Sequence, residues 1–173
     1  HISNSLLTNK FYVSRIGTEA DWGTVTGGTY ATSGVTNYPV AYAIKGPGHL
    51  YCVHGSIATR IGSDSDWTLV TGTSYPSGAT IAHAIKSGAL YSLQYNTATQ
   101  IGSDSDWIAV QGRSNAAGQI TAYGIRSNGR LYKINGNSIA QVGTSTGWTH
   151  VFSEEDDDLN EGDLFLAVKE TEV

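Results

Sequence analysis

"IGSDSDW" stands at Ile61–Trp67 and again, unchanged, at Ile101–Trp107. An identity of this length inside a chain of 173 residues marks an internal repeat, the feature to trace before any other. Working outward, the apolar-Gly step recurs at Ile16-Gly17, Ile61-Gly62, Ile101-Gly102 and Val142-Gly143. Five residues after each Gly stands a tryptophan, Trp22, Trp67, Trp107 and Trp148, and these are all the tryptophans in the chain. Three residues further on stand Val25, Val70, Val110 and Val151. A polar loop follows, then a second apolar run: "AYAIK" (Ala41–Lys45), "AHAIK" (Ala82–Lys86), "AYGIR" (Ala122–Arg126) and "FLAVK" (Phe165–Lys169). Gly-x-Leu-Tyr comes next in three copies, ending at Tyr51, Tyr91 and Tyr132.

The period is about 40 residues, the size of one four-stranded propeller blade. Within it, short segments alternate apolar and polar residues and are separated by Gly, Asn and Ser turns, which is strand patterning. We label the strands A (from Trp), B (to the cation), C (Leu-Tyr) and D (to Ile-Gly). The chain ends soon after strand B of a fourth unit, and Ser3–Gly17 aligns without gaps on Gly48–Gly62, which holds strands C and D. The expected fold is therefore all-β: one small propeller domain over residues 1–173 with four blades. Three blades span 22–62, 67–102 and 107–143, and the fourth is split between 3–17 and 148–169. Pairing N-terminal strands C and D with C-terminal strands A and B closes the ring and hides its open edges. The rival reading is half of a larger ring made by two chains, or a piece of a longer array.

Composition agrees with strands and turns. Charged residues are 14% of the chain and Gly has 21 copies. The net charge of −5 gathers in "SEEDDD" at Ser153–Asp158, and no Lys/Arg cluster offers a phosphate-tracking surface, so nucleic acid is not an expected partner. No apolar run is long enough to span a membrane. The single cysteine, Cys52, excludes an internal disulfide and reads as a buried thiol among apolar neighbours. The chain contains no Met, so its start reads as processed or as the edge of a longer protein.

The pattern Trp-x-x-Val-x-Gly, Ala-x-Ala-Ile-Lys-x-Gly-x-Leu-Tyr, Ile-Gly resembles the repeats of the regulator of chromosome condensation family over almost the whole chain. The resemblance implies the propeller fold. It does not carry over the family's nucleotide-exchange activity, because nothing here matches the element that performs it. Related repeats occur in phage tail-fibre and other virion proteins, which this chain resembles in its low charge and its Gly, Ser and Thr content. It is similar, more weakly, to tachylectin-type propeller lectins. These likenesses imply a virion or extracellular location.

Trp22, Trp67, Trp107 and Trp148 occupy one fixed motif position. They read as packing between blades, with each indole N–H finding a carbonyl, or as platforms for sugar rings. Asp21, Asp66 and Asp106 precede three of the tryptophans. They read as caps accepting backbone N–H groups in the D-to-A turn, with a carboxylate ring around a cation as the alternative. The small residues Ala43, Ala84, Gly124 and Ala167 in strand B imply crowding. Lys45, Lys86, Arg126 and Lys169 read as solvated strand ends or as an anion-attracting ring, and Tyr51, Tyr91 and Tyr132 as core or as binding aromatics.

The A-to-B loops vary most and emerge on one face, where a rigid scaffold usually binds its ligand. Candidate contact residues there are Tyr30, Asn37, Tyr38, Tyr75 and Asn115, with the acidic run Glu154, Glu155, Asp156, Asp157 and Asp158. No cofactor is expected, although the oxygen-rich acidic run leaves Ca²⁺ as an alternative. The five histidines are scattered over different units, and no HExxH, GxSxG, phosphate-loop or CxxC pattern occurs, so no catalytic residue is assigned. Repetition suits a scaffold or multivalent binder better than an active site, which needs different groups converging on one point. The expected function is a non-enzymatic structural, decoration or attachment module acting on protein subunits of a larger assembly. The alternative is a glycan- or receptor-binding lectin.

Overall fold

The computed structural model describes residues 20–31, 37–72, 82–114, 120–153 and 165–169. The first unit comprises β1 (Trp22–Ala31), β2 (Asn37–Lys45), β3 (His49–His54) and β4 (Ile57–Arg60). The second comprises β5 (Trp67–Gly72), β6 (Ala82–Lys86), β7 (Ala89–Gln94) and β8 (Thr97–Gln100). The third comprises β9 (Trp107–Ser114), β10 (Ile120–Arg126), β11 (Leu131–Asn135) and β12 (Ser138–Gln141). The fourth contributes β13 (Trp148–Ser153) and β14 (Phe165–Lys169). Each of the first three units is a four-stranded antiparallel sheet in chain order, and β13–β14 is a two-stranded one. The described residues are thus all-β, built from repeated sheets in a propeller-like arrangement, with no helix among them long and apolar enough to cross a membrane. Residues 3–17, expected to complete the fourth sheet, lie outside the described residues.

Strand A carries a device that the period-2 pattern does not announce. Trp67 and Val70 are three apart, which in a regular strand puts them on opposite faces. The register shifts between Trp67 and Leu69, a bulge that brings both side chains to one face, 4% exposed each. The same shift follows Trp22, between Ile125 and Arg126 opposite Trp107, and after Trp148. Trp-x-x-Val is therefore the signature of a bulged strand.

That bulged face seats on the preceding sheet. Trp67, Val70, Ala82 and Ala84 of the second unit pack with Val40, Tyr42, Ile44, Leu50 and Ile61 of the first. Trp107, Val110 and Ala122 pack with Ile85, Leu90 and Ile101, and Val151 with Ile125 and Leu131. The core is thus one interface repeated, made of the same motif positions each time. β1, β5, β9 and β13 adjoin one another in turn, so the A strands lie innermost, and the short β4, β8 and β12 form the largely exposed outer edge.

The Ile-Gly-x-x-x-x-Trp segment is the joint between sheets. Ile61, Ile101 and Val142 donate their N–H to Leu50, Leu90 and Leu131. Trp67, Trp107 and Trp148 then donate theirs to the carbonyls of Gly48, Gly88 and Gly129 in the B-to-C turn of the preceding unit. That turn must come very close. A Cβ on Gly88, whose φ is +76°, would meet the Ser105 carbonyl, and one on Gly48 would lie 2.7 Å from the Ser65 carbonyl oxygen. The Gly of Gly-x-Leu-Tyr is there for contact between units as much as for the turn.

The first A-to-B segment, which the sequence reads as a loop, is strand at both of its ends. Gly27–Ala31 pairs in register with Asn37–Ala41, extending the β1–β2 hairpin, because its Thr, Tyr and Val residues favour extended backbone.

Candidate functional site

Each unit carries a cation over its Trp on the bulged face, joined in the first three units by a Tyr and a carboxylate. In the third unit, Arg126 at the end of strand B lies over both Trp107 and Tyr132, with its guanidinium carbon 5.7 and 5.3 Å from the two ring centroids. The two rings meet edge to face at 5.4 Å. A Cβ on Gly124 would lie 2.8 Å from Trp107 Cζ3, which explains the small residue at this position: the indole lies across it. Arg126 donates to Asp104 at 2.8 Å and to Asp106 at 2.5 Å. Burial opposes the guanidinium charge, yet the two carboxylates outweigh it and hold Arg126 above its ordinary value.

The second unit repeats the cluster. Lys86 sits 5.5 Å from the Trp67 centroid and 5.0 Å from that of Tyr91, and donates to Asp64 at 2.9 Å. That hydrogen bond raises its pKa against the pull of burial. In the first unit Lys45 lies 5.9 Å from the Trp22 centroid and 4.0 Å from Asp21. In the fourth, Lys169 lies 4.7 Å from the Trp148 centroid. Each cation thus lies over an aromatic ring while Lys169 stays exposed and the others are partly so, an arrangement worth about 0.5–1 kcal/mol each.

Two expectations change in detail. The backbone carbonyls of Asp21, Asp66 and Asp106 accept the N–H groups of Gly46, Ser87 and Ser127, so the capping is done by the main chain. Their side chains are left for other partners: Asp66 accepts from the Ser87 hydroxyl, Asp106 from Arg126, and Asp21 faces Lys45. The indole N–H groups of Trp67, Trp107 and Trp148 are buried without a hydrogen-bond partner, so the expected carbonyl acceptor is not there. The rings are positioned by their faces and edges, with the cation above and the tyrosine beside.

A second set of polar groups runs along the inner strands. Gly72 N–H donates to Thr26 Oγ1 at 2.8 Å, Thr71 Oγ1 to Gln111 Oε1 at 3.1 Å, and Gln111 Nε2 to Ser153 Oγ at 3.0 Å. These bonds link β1, β5, β9 and β13 near the ends that lead to the A-to-B loops. On β6, His83 is 4% exposed with Nδ1 unpartnered, and burial lowers its pKa to about 4. Its counterpart Tyr42 reaches across to the next unit, donating to the Tyr95 carbonyl at 3.2 Å. Cys52 is buried, and burial raises its thiol to about 11, which keeps it protonated.

Of the loop candidates, Tyr75, Asn115, Glu154, Glu155, Asp156, Asp157 and Asp158 lie outside the described residues. The backbones of Tyr30, Asn37 and Tyr38 belong to the β1–β2 hairpin, with Tyr30 paired to Tyr38 and Asn37 to Ala31. The signal for the aromatic-cation cluster was present in sequence as one cation per unit at a fixed offset from one Trp. Its meaning depended on the antiparallel register Trp67↔Lys86 and Trp107↔Arg126. The chain matches no protein-family model, and no curated protein matches its sequence.

Proposed function

We propose that the chain forms a closed ring of four sheets and acts as a non-enzymatic attachment module of a virion or extracellular assembly, contacting protein subunits through its A-to-B face. Closure is supported by two uncovered surfaces. Val25 is 62% exposed on the first sheet, whereas its equivalents Val70, Val110 and Val151 are buried. Phe152, Leu166 and Val168 are exposed on the last sheet, at positions equivalent to Thr71, His83 and Ile85, all of them buried. One surface is what the other lacks, and residues 3–17 would supply the missing outer strands.

The observation that carries the functional reading is how the repeated chemistry is used. In the second and third units the carboxylates, the cation, the Trp and the Tyr bind each other, and so are spent on holding the scaffold together. What differs between units is the A-to-B end, and specificity must come from what differs. A carbohydrate-binding reading has one point in its favour, the register pairing of Tyr30 with Tyr38 at that same end. A glycan array decides between them. The attachment reading expects no saturable glycan binding; saturable binding of one glycan class, lost on Tyr30→Ala or Tyr38→Ala, would replace it with the lectin reading.

A further inference from the structure

We propose that the fourth unit holds a site for an aspartate or glutamate side chain of a partner protein, formed by Lys169 over Trp148 where the other units place a carboxylate of their own. The frame is the one seen elsewhere. Trp148 pairs in register with Lys169 as Trp107 pairs with Arg126, and Trp148 N–H donates to the Gly129 carbonyl at 3.0 Å. The cation lies 4.7 Å from the indole centroid, nearer than in any other unit.

The acids are what is missing. The linkers before Trp67 and Trp107 place Asp64 and Asp66, then Asp104 and Asp106, while the linker before Trp148 has Ser145 and Gly147 at those positions. Among the described residues no carboxylate pairs with Lys169, whereas Lys45, Lys86 and Arg126 each have one within 4.0 Å. Nothing lies within 4 Å of a Cβ built on Gly147, so the space that an aspartate would enter is open. Arg126 and Lys86 show that a cation lying over its ring can also hold a carboxylate oxygen, at 2.8 and 2.9 Å. A cation held against an indole face has already lost part of its hydration there, which favours a charge-assisted bond from the solvent side. The occupant is an acidic peptide segment because in the sister units the group in this place is an aspartate of the linker before the Trp. The site sits at the end of β14 away from the A-to-B loop, so it is a surface separate from the attachment face and does not depend on that reading.

The test uses the whole chain and the acetylated, amidated peptide Ser-Asp-Ser-Asp, the sequence of Ser103–Asp106, with Ser-Asn-Ser-Asn as control. Moderate salt screens the net charge of −5. The readout is the indole N–H resonances, assigned by single Trp→Phe variants. The expected result is a saturable shift confined to Trp148, absent with the Asn peptide. The apparent affinity should fall about threefold or more in Lys169→Gln, the scale of one exposed ion pair. Gly147→Asp should also abolish the shift by filling the place from within, and Asp21 at φ 64° shows that an aspartate accepts a backbone like that of Gly147, φ 81°. A shift that survives in Gly147→Asp, or one that keeps the parent's affinity in Lys169→Gln, overturns the proposal. So does the absence of a saturable shift, the outcome if the chain's own Glu170 or Glu172 neutralises Lys169. An equal response to glucuronate would overturn the peptide as occupant.

Discussion

Acid should weaken the joint between the second and third sheets through one residue, His83. It is 4% exposed and its Nδ1 has no partner, while the equivalent residues of the neighbouring units are Tyr42 and Tyr123. Its own strand β6 and the strands packed on it, β5, β7 and β9, contain no carboxylate; their cations are Lys86, bonded to Asp64, and Arg113. A proton on His83 therefore gains no counter-charge and loses its hydration, which is why its pKa falls from 6.5 to about 4. Because the folded pKa is the lower one, the unfolded chain takes up the proton first as pH falls. The stability contribution is complete above the unfolded value and disappears between 6.5 and about 4. At about 1.36 kcal/mol per unit, the loss at roughly pH 4.5 is about 2.5 kcal/mol. The assay is urea unfolding followed by tryptophan fluorescence, near pH 7 and near pH 4.5, for the parent and for His83→Gln. The remaining titrating groups are common to both proteins and cancel in the double difference. A double difference below about 1 kcal/mol would refute the assignment of a buried, neutral His83.

Trp107→Ala should cost about 3–5 kcal/mol in urea unfolding, since the ring is 2% exposed between two sheets; a cost under about 1 kcal/mol would move it to the surface. Gly88→Ala should lower the melting temperature by the equivalent of about 2 kcal/mol or more, because the new Cβ meets the Ser105 carbonyl at φ +76°, and an unchanged melting point would refute the close approach. Deleting residues 3–17 should leave the last sheet's edge open and cause self-association, read by sedimentation; a monomer with the parent's melting temperature would remove the case for closure. Neutralising Glu154, Glu155, Asp156, Asp157 and Asp158 together should leave the melting temperature within about 2 °C, because a run of like charges in sequence reads as a solvated loop that contributes little, and unfolding of that variant would give the run a structural role.

The strands were legible because each is announced by a residue whose packing tolerates few substitutes: Trp at the start of A, the small-x-small-Ile run in B, Leu-Tyr in C. The contacts that give those residues meaning were not. Whether Trp107 and Val110 share a face depends on a bulge, and a bulge leaves no mark in the pattern except a spacing that looks wrong for a strand. Arg126 reads as a strand end until the register sets it opposite Trp107, and only then does Asp106 become its partner rather than a turn cap, with Asp104 as a second one. His83 could not be separated from the other histidines, since burial is a property of its neighbours and not of its own flanks.

The joint between units has a consequence for how such a chain changes length. The same seven residues stand at Ile61–Trp67 and at Ile101–Trp107, and each copy makes the same main-chain bonds to the unit before it. A deletion running from Gly62 to Ile101 would leave one intact copy of the joint, with the buried face of Tyr42 and Ile44 meeting that of Trp107 and Val110 in place of Trp67 and Val70. The surfaces brought together would carry the same motif positions as those already paired, so the loss or gain of a whole period keeps the local joint, while a closed ring would have to re-close around a different number of sheets. Stepwise growth and shrinkage by entire units is thereby open to this chain, whereas an insertion of any other length would have to invent a new contact.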